Sequence, residues 1–466
     1  MPVRTSAHAF IALALVASLV GCRSKAPVVE DPAAQARRQL EEELTSAYSM
    51  NAPPVSGIQS FELTAAPTSI QQFDGRLLDV WAYNGTVPGP VLRVRLGEEI
   101  EVKLHNRLPQ PTTIHWHGVR VPNAMDGVPG VTQEAVAPGA SFTYRFTPKD
   151  AGTFWFHPHV RTAEQVERGL YGVLIVDDAA PRPYSRDEVW VLDDWRLGPD
   201  GQIDPNFVTR HDLAHDGRWG QLVTVNGETS QELIVRPGER IRLRLVNTSN
   251  GRVYRPDFSG LDPRKIAPAN RVDLDIVIPH NAAGRSFEII DRFTRQPFVL
   301  ATVRVEGAPV QTPRFAAAFN PRVPKWKGAT DLPTDVTYVL DSRSGGEYGI
   351  QWTINGEVWG EHTVTELPHG QWKRVRFQND SYRLHPMHLH GQFFKVIAKN
   401  GEPVDEPFFR DTVLLHRQET IDVGIVPLDW GRWMMHCHIL EHAASGMMTL
   451  VHVGKRGLEP PRVVSH

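Results

Sequence analysis

Cysteine is almost absent from this chain of 466 residues. Only Cys22 and Cys437 occur, and because Cys22 belongs to an export signal, a disulfide framework is excluded.

An excess of basic charge is missing as well. The formal net charge is −3, which provides no positive field for binding phosphates. We therefore expect no nucleic-acid partner.

The apolar run at the N-terminus is too short to span a bilayer. It covers residues 9–20 behind Arg4, which is the layout of a secretory signal. Residues 19–22 read Leu-Val-Gly-Cys and resemble a bacterial lipobox, in which the cysteine is acylated. We predict a lipoprotein signal peptide over 1–21 and membrane contact through acylated Cys22 only. The alternative is a plain signal peptide with an incidental cysteine.

The residue after Cys22 and the segment beyond it suggest where the protein is held. Arg23 in place of an aspartate resembles outer-membrane sorting, so we expect an exported, lipid-anchored protein that faces the periplasm or the cell surface. Residues 22–55 are rich in Ala, Glu, Arg and Pro, which is typical of a tether. We expect this tether to be partly helical through residues 35–48 and to have little tertiary structure. Residues 456–466 are predicted to be a tail.

Long periodic helices are also missing, and turn signals take their place. Glycine and proline number 37 each, and Asn-Gly pairs separate short runs in which apolar residues alternate with polar ones. Such a pattern indicates an all-β fold.

An internal repeat divides the chain into three. Each copy has an Asn-Gly turn, then a strand with apolar residues at every second position, then an asparagine. The turns begin at Asn84, Asn226 and Asn355, and the strands end at Asn106, Asn247 and Asn379. Three tandem β-sandwiches over residues 56–178, 185–310 and 330–455 fit the length and the repeat.

The closing hairpins of the repeats show which copies carry chemistry. In the first copy, His157 follows Gly152 by five residues, and His436 follows Gly431 at the same offset in the third. The matching positions of the middle copy are Ile289, Ile290 and Asp291, with no histidine among them. We therefore predict reactive groups in the first and third domains and a spacer in the second.

Histidine is concentrated in four short segments, which hold ten of the 20 in the chain. Each segment contains a His-x-His pair, and residues i and i+2 of a strand share one face. The four pairs supply eight imidazoles, which suit three copper ions in one pocket. A single pair of this kind also suits a small zinc site or a hydrogen-bonded core pair. The four pairs are His115 with His117, His157 with His159, His388 with His390, and His436 with His438.

Cys437 lies between the last two of these histidines. On a strand its side chain points away from theirs, so its thiolate faces a different metal. His442 and Met447 follow five and ten residues later. With His385 as a second imidazole, they make the ligand set of a blue-copper electron-transfer site. The adjacent Met448 shows that a methionine here also suits the core.

These motifs resemble the multicopper oxidase family of laccases, bacterial copper-tolerance oxidases and ferroxidases, over roughly residues 56–455. The resemblance implies three cupredoxin-like Greek-key domains and four copper ions per chain: one type 1, one type 2 and two type 3. It implies that the type 1 ion is held by His385, Cys437, His442 and Met447, and the type 2 ion by His115 and His388. The type 3 pair would then be held by His117, His157, His159, His390, His436 and His438.

Asp126 matches the acid that lies beside the trinuclear site in this family and helps relay protons. Four protons must reach O2 with four electrons, so the chemistry needs such a group. Alternatively, Asp126 orders the Gly/Pro turn that follows it. We assign catalytic roles to Asp126 and to His436, Cys437 and His438, whose peptide joins the two copper sites. Many bacterial relatives have a second carboxylate where this chain has Ala443.

The reducing substrate is weakly encoded. Only eight methionines occur, so a Met-rich cover like that of some cuprous oxidases is absent. We expect O2 and a small reducing substrate, a phenol or aromatic donor first and otherwise Cu(I), Fe(II) or Mn(II), acting on a monomer. Two alternatives are a non-enzymatic copper carrier, which would need exposed Met or Cys ligands, and a two-domain copper nitrite reductase, which lacks four His-x-His pairs.

Overall fold

The fold is built almost entirely of β-strands, as the sequence predicts. A computed structural model describes residues 31–47, 55, 57–71, 75–258, 265–315 and 323–454. Its strands form six sheets, two for each copy of the repeat. The expectation of an all-β chain with three cupredoxin-like sandwiches is confirmed.

The first sandwich pairs a sheet of order β2-β1-β4-β6 with one of order β3-β8-β7-β5. Its strands are β1 (Ile58–Gln71), β2 (Leu77–Tyr83), β3 (Val91–Arg95), β4 (Glu99–Asn106), β5 (His115–His117), β6 (Ser141–Phe146), β7 (Gly152–His157) and β8 (Gly172–Asp177).

The second sandwich has the sheet orders β10-β9-β12-β14 and β11-β16-β15-β13. Its strands are β9 (Arg186–Trp195), β10 (Leu222–Val225), β11 (Gln231–Val235), β12 (Arg240–Asn247), β13 (Pro256–Asp257), β14 (Arg271–Val277), β15 (Ser286–Asp291) and β16 (Phe298–Val305).

The third sandwich is the largest, with sheet orders β18-β17-β20-β25-β22-β23 and β19-β27-β26-β21-β24. Its strands are β17 (Val336–Ser344), β18 (Ile350–Ile354), β19 (Thr365–Leu367), β20 (Lys373–Asn379), β21 (His385–Leu389), β22 (Lys395–Lys399), β23 (Glu402–Pro403), β24 (Thr412–Leu415), β25 (Thr420–Ile425), β26 (Gly431–Cys437) and β27 (Met448–Val453).

Helices are short and few in the described part of the chain. They are α1 (Pro32–Ala47), α2 (Thr162–Glu167), α3 (Arg210–Leu213) and α4 (Leu440–Ala444), with 3₁₀ turns at Asn123–Met125 and Ala329–Asp331. None of the helices among these residues is both long and apolar enough to cross a membrane.

The three Asn-Gly turns have the same geometry. Asn84, Asn226 and Asn355 have φ of 54°, 55° and 56°, and each is followed by a glycine that also has positive φ. Two consecutive left-handed residues define a type I′ turn, which explains why Asn-Gly occupies each position. Each asparagine Oδ1 also accepts a hydrogen bond from a main-chain N–H of a neighbouring strand, namely that of Thr64, Val191 or Val339.

The second repeated asparagine is buried in every domain and closes a loop. Its Nδ2 donates to two main-chain carbonyls, and its Oδ1 accepts from the N–H two residues ahead. These amides satisfy polar groups that would otherwise be buried without partners. The three residues are Asn106, Asn247 and Asn379.

Strand alternation holds in β4 of the first domain but not in the matching strand β12 of the second. Every second residue of β4 is buried, as expected. In β12 nearly every residue is buried, because ion pairs and another domain cover the polar face. Arg244 pairs with Asp187 at 2.6 Å and donates to Thr153 Oγ1 of the first domain at 2.8 Å. The outer face of β12 is therefore a domain interface.

One hydrophobic core runs through the first and third sandwiches, whereas the second has a core of its own. Trp116 and Phe156 of the first domain belong to the same cluster as Trp433 and Cys437 of the third. The core of the second domain includes Trp190 and Leu243. The two domains that carry histidine segments are thus packed into one unit.

The expectation of little tertiary structure in the tether is wrong for residues 32–47. These residues form α1, whose Leu40 and Leu44 are buried against Trp326 and Trp372 of the third domain. Trp326 Nε1 also donates to the Leu40 carbonyl at 2.9 Å. The tether prediction rested on the content of Ala, Glu, Arg and Pro, and it did not take account of the leucines four residues apart on one helix face. Residues 1–21, Cys22 and the tail 456–466 lie outside the described residues.

Candidate metal centre

Paired strands bring the histidine segments together in two of the three domains. In the first domain, β5 pairs antiparallel with β7, which sets His115 opposite His157. In the third, β21 pairs with β26, which sets His388 opposite His436. Side chains of one face on adjacent strands are neighbours, so each domain presents a compact block of imidazoles to the other.

The eight imidazoles of the His-x-His pairs converge between these domains. His115 Nε2 lies 3.5 Å from His388 Nε2, and His390 Nε2 lies 3.1 Å from His436 Nε2. The ring of His159 completes a triad with His390 and His436. A second triad is formed by His117, His157 and His438, whose ring centroids are 4.9 to 5.8 Å apart.

Most of these rings use one nitrogen for a protein acceptor. Nδ1 donates to a main-chain carbonyl in His157, His388 and His436, at 2.8 to 3.0 Å. His117 uses Nε2 instead, which donates to Asp411 Oδ1 at 3.2 Å. Such bonds fix the tautomer and leave the opposite nitrogen free for a metal.

The free nitrogens test whether a metal fits. His117 Nδ1, His157 Nε2, His159 Nε2 and both nitrogens of His438 are buried and lack a hydrogen-bond partner among the described residues. Unpartnered buried polar atoms are costly unless an ion satisfies them. A donor set made only of imidazoles suits copper or zinc better than magnesium or calcium. The residues therefore fit a copper cluster.

Burial keeps these imidazoles in the form that binds metals. It lowers the pKa of His436 from 6.5 to about 4. Burial first, and repulsion from neighbouring rings second, hold the pKa of six others well below the usual value. Neutral imidazole is the ligand form, so the cluster needs no deprotonation near neutral pH. The six are His117, His157, His159, His388, His390 and His438.

Cys437 forms a separate cluster on the opposite face of β26. Its Sγ lies 3.6 Å from His385 Nδ1 and 3.9 Å from His442 Nδ1, and the two nitrogens are 3.3 Å apart. All three side chains are buried. Burial raises the pKa of the Cys437 thiol far above its usual 9.0, so a metal must displace a proton to bind it.

The other ring nitrogen of these two imidazoles, Nε2, takes part in a hydrogen bond in each case. His385 Nε2 lies 2.8 Å from Ser381 Oγ, whose own proton goes to Oδ1 of the repeated Asn379 at 2.7 Å. His442 Nε2 donates to the main-chain carbonyl of His215 at 3.0 Å. Both rings therefore turn Nδ1 toward Cys437. Sequence reasoning missed Ser381 and His215, because neither follows a ligand motif.

Met447 closes the loop that begins at Cys437. Its carbonyl accepts from the Cys437 N–H, and its own N–H donates to the His442 carbonyl, both at 3.1 Å. The side chain is fully buried in the same cluster as Cys437 and Met387. This placement is compatible with the predicted axial role.

Asp126 touches two rings of the eight-imidazole cluster. Its Oδ2 accepts from His390 Nδ1 at 2.9 Å, and its Oδ1 lies 3.2 Å from His115 Nδ1. The next residue, Gly127, has φ of 83°, and a Cβ there would lie 1.9 Å from the Ile114 carbonyl oxygen. The Gly-Val-Pro-Gly turn is thus pressed against β5, which carries His115.

Asp411 is a second acid at the cluster, and sequence reasoning did not find it. It lies within reach of His117 and His388, and Arg271 of the second domain binds both of its oxygens at 2.6 and 2.8 Å. A lone aspartate before a strand carries little sequence signal. Its position follows from the pairing of β24 with β21, which sets Thr412 opposite His388.

A cavity of about 580 Å³ reaches the cluster at His159 and His436. Ala443 lines this cavity, at a position where many bacterial relatives have a carboxylate. The acidic residue in the lining is Glu164 of α2. Glu441 is directed elsewhere: its Oε2 accepts from the Arg218 N–H at 3.0 Å. A larger cavity of about 840 Å³ lies in the second domain and includes none of the predicted ligands in its lining.

Comparison with known proteins connects this arrangement to described oxidases. Two family models, both described as multicopper oxidase, match residues 65–181 and 331–457. Multicopper oxidase MmcO of Mycobacterium tuberculosis is 30% identical, over 83% of this chain and 85% of its own length. A copper resistance protein A homolog of Pseudomonas syringae pv. tomato is 24% identical, over 84% of this chain and 92% of its own length.

A solved structure shares the fold along most of the chain. The crystal structure of a multicopper oxidase from Pseudomonas thermotolerans superposes with a TM-score of 0.75 and is 32% identical. The match covers 86% of this chain and all of that one.

Proposed function

This chain belongs to the multicopper oxidase family, and from that premise we propose the reaction it performs and the residues that perform it. A small reducing substrate gives up electrons one at a time at a type 1 copper, and O2 is reduced to two water molecules at a trinuclear copper cluster. Four electrons and four protons are consumed per O2.

The observation that carries this proposal is the separation of two ligand clusters on one strand. Cys437, His385, His442 and Met447 would hold the type 1 ion. His115 and His388 would hold the type 2 ion, with the two histidine triads each holding one type 3 ion. Four copper ions per chain follow from this count. When bound, copper supplies reversible one-electron transfer and a place for O2.

The residues of the chain orient these ligands and handle protons. Hydrogen bonds from Nδ1 or Nε2 fix the imidazole tautomers. Asp126, buried against His390 and His115, is positioned to hold a proton near the cluster and pass it on. The cavity at His159 and His436 gives O2 and water a path. Glu164 lines the same cavity as Ala443, at whose position many bacterial relatives have a carboxylate. We therefore propose Glu164 as the acid that serves this cavity.

For the donor, the structure supports a metal ion over a phenol. His385 and His442 have no exposed surface, and their outer nitrogens are bonded to Ser381 and His215. A phenol therefore cannot touch either ring edge without displacing part of the protein. The copper resistance protein among the relatives points in the same direction.

We also propose that the protein is exported as a monomer and anchored through acylated Cys22. The Leu-Val-Gly-Cys sequence supports the anchor. A Cys22→Ala variant is expected to move from the membrane fraction to the soluble fraction, and no change between fractions would exclude acylation as the anchor.

Oxygen consumption tests the reaction. The copper-loaded protein, given Cu(I) or the one-electron donor ABTS, should use four donor electrons per O2 and release no peroxide. Peroxide as the main product, or copper well short of four ions per chain, would contradict the proposal. A Cys437→Ser variant should lose the blue absorption and keep the type 2 signal in electron paramagnetic resonance.

A further inference from the structure

The middle repeat lacks a helix that the other two have. In the first domain α2 lies in the connection from β7 to β8, and in the third α4 lies in the connection from β26 to β27. In the second domain β15 and β16 are joined by residues 292–297 alone, which contain no helix. The shorter connection leaves less chain to cover that part of the sandwich.

In the first and third domains this helix lies against the strand that precedes the repeated Asn-Gly turn. Next to α2, the Arg168 carbonyl accepts from the Trp81 N–H of β2 at 2.8 Å. In the third domain, the ring centroid of His442 in α4 lies 4.4 Å from that of Trp352 in β18. The corresponding strand of the second domain is β10, and β10 lines the cavity of about 840 Å³ together with the end of the 292–297 connection. The cavity therefore takes the place of the missing helix.

The lining of this cavity combines apolar side chains with two arginines, and no acid is present among its described residues. Arg252 is only 7% exposed, and its guanidinium carbon lies 4.8 Å from the ring centroid of Trp219 and 5.9 Å from that of Phe298. Arg295 is exposed and forms no ion pair with a described residue. Aromatic rings beside guanidinium groups suit a molecule with a planar apolar body and a negative end.

The guanidinium of Arg252 is held in place and keeps one nitrogen for a ligand. Its Nε donates to Asp194 Oδ2 at 2.8 Å, and its Nη2 donates to the Gly220 carbonyl at 2.6 Å. Nη1 has no hydrogen-bond partner in the part of the chain that the structure describes. A donor that is already fixed loses little conformational entropy when it binds. Because Asp194 offsets the charge of Arg252, the net positive charge of the lining comes from Arg295.

We propose that this cavity binds a small aromatic carboxylate. The aromatic ring packs against Trp219 and Phe298, while the carboxylate accepts from Arg252 Nη1 and pairs with Arg295. The volume of the cavity falls within the range of about 300 to 1,000 Å³ that is typical of sites for small organic molecules. The site lies in the domain to which we assign no copper ligand, so the inference does not depend on the proposed reaction.

Isothermal titration of the copper-loaded protein with 2-naphthoate tests the site. The neutral 2-naphthamide has the same ring system, and it should bind about tenfold more weakly because it forms no charge-assisted hydrogen bond with an arginine. Arg295→Gln should weaken 2-naphthoate binding about threefold or more. Arg285→Gln is the matched control, because Arg285 is an exposed arginine of the same domain that lies outside the lining.

A second pair of variants changes the charge of the lining without removing an arginine. Val299 is a lining residue that is 44% exposed, so Val299→Glu should lower the 2-naphthoate affinity about tenfold by charge repulsion. Val277→Glu is the matched control, at a valine of the same domain that is 49% exposed and outside the lining. Equal affinities for 2-naphthoate and 2-naphthamide, or 2-naphthoate binding that Val299→Glu leaves unchanged, would overturn the inference.

Discussion

Cys437 and His436 are neighbours in one strand, yet their side chains belong to different clusters. Cys437 Sγ lies 3.6 Å from His385 Nδ1, whereas His436 Nε2 lies 3.1 Å from His390 Nε2 on the opposite face of the sheet. The alternation of a β-strand therefore connects the two clusters through a single peptide. An electron that arrives at Cys437 has only a few covalent bonds to cross before it reaches a histidine of the other cluster.

Replacing the carboxyl group of Asp126 by an amide should slow O2 reduction without affecting electron entry. Asp126→Asn keeps the size of the side chain but cannot relay a proton, so we expect turnover to fall by about 10²- to 10⁴-fold. In stopped-flow experiments, a donor should bleach the blue absorption of the variant at the wild-type rate. Asp178→Asn, at an exposed position, is the control. Wild-type turnover in Asp126→Asn would assign Asp126 to ordering the turn only.

The two adjacent methionines should differ in their effect on the type 1 site. Met447→Leu removes a weak thioether ligand, so we expect the reduction potential to rise by on the order of 60 mV, a tenfold change for a one-electron couple. Met448→Leu is the control, because Met448 lines the cavity at His159 instead. Redox titration of the blue absorption measures both. Equal shifts in the two variants would argue that Met447 only fills the core.

Sequence alone predicted the parts of this molecule that local rules decide. The Asn-Gly turns, the closing asparagines and the His-x-His pairs each depend on geometry within one loop or strand. The period of two in a strand was enough to separate Cys437 from His436 and His438. The presence of Ile289 where the other two copies have a histidine was enough to predict that the second domain carries no copper ligands.

The parts that sequence did not predict are contacts across long separations. The contacts of Asp411 with Arg271 and His117 join three different domains. No sequence motif near any of these residues indicates the contacts. The main-chain carbonyl of His215 binds His442, although the two residues are 227 positions apart in the chain. Packing of whole domains determines these contacts, and a single sequence does not encode it in a readable pattern.

Copper loading should release a proton from Cys437 over a wide pH range. Burial raises the pKa of this thiol far above 9.0, so the metal-free protein holds the proton even at about pH 9, where an ordinary thiol is half ionised. On copper binding, the wild type should therefore release about one proton more than Cys437→Ser, both at neutral pH and at about pH 9. A pH-stat titration with Cu(II) measures it. A difference near one half at the higher pH would indicate an unshifted thiol.

The helix α1 should contribute directly to the stability of the third domain. Leu44 of α1 is buried in a cluster with Trp326 and Trp372. Leu44→Ala therefore leaves a cavity and should lower the free energy of unfolding by about 2 to 5 kcal/mol. Denaturant unfolding of the metal-free protein, followed by tryptophan fluorescence, measures the change. Gln39→Ala, at an exposed position of the same helix, should stay within about 0.5 kcal/mol of the wild type. Equal stability of the two variants would mean that α1 is a tether after all, because a helix that does not pack on the domain has no buried leucine to lose.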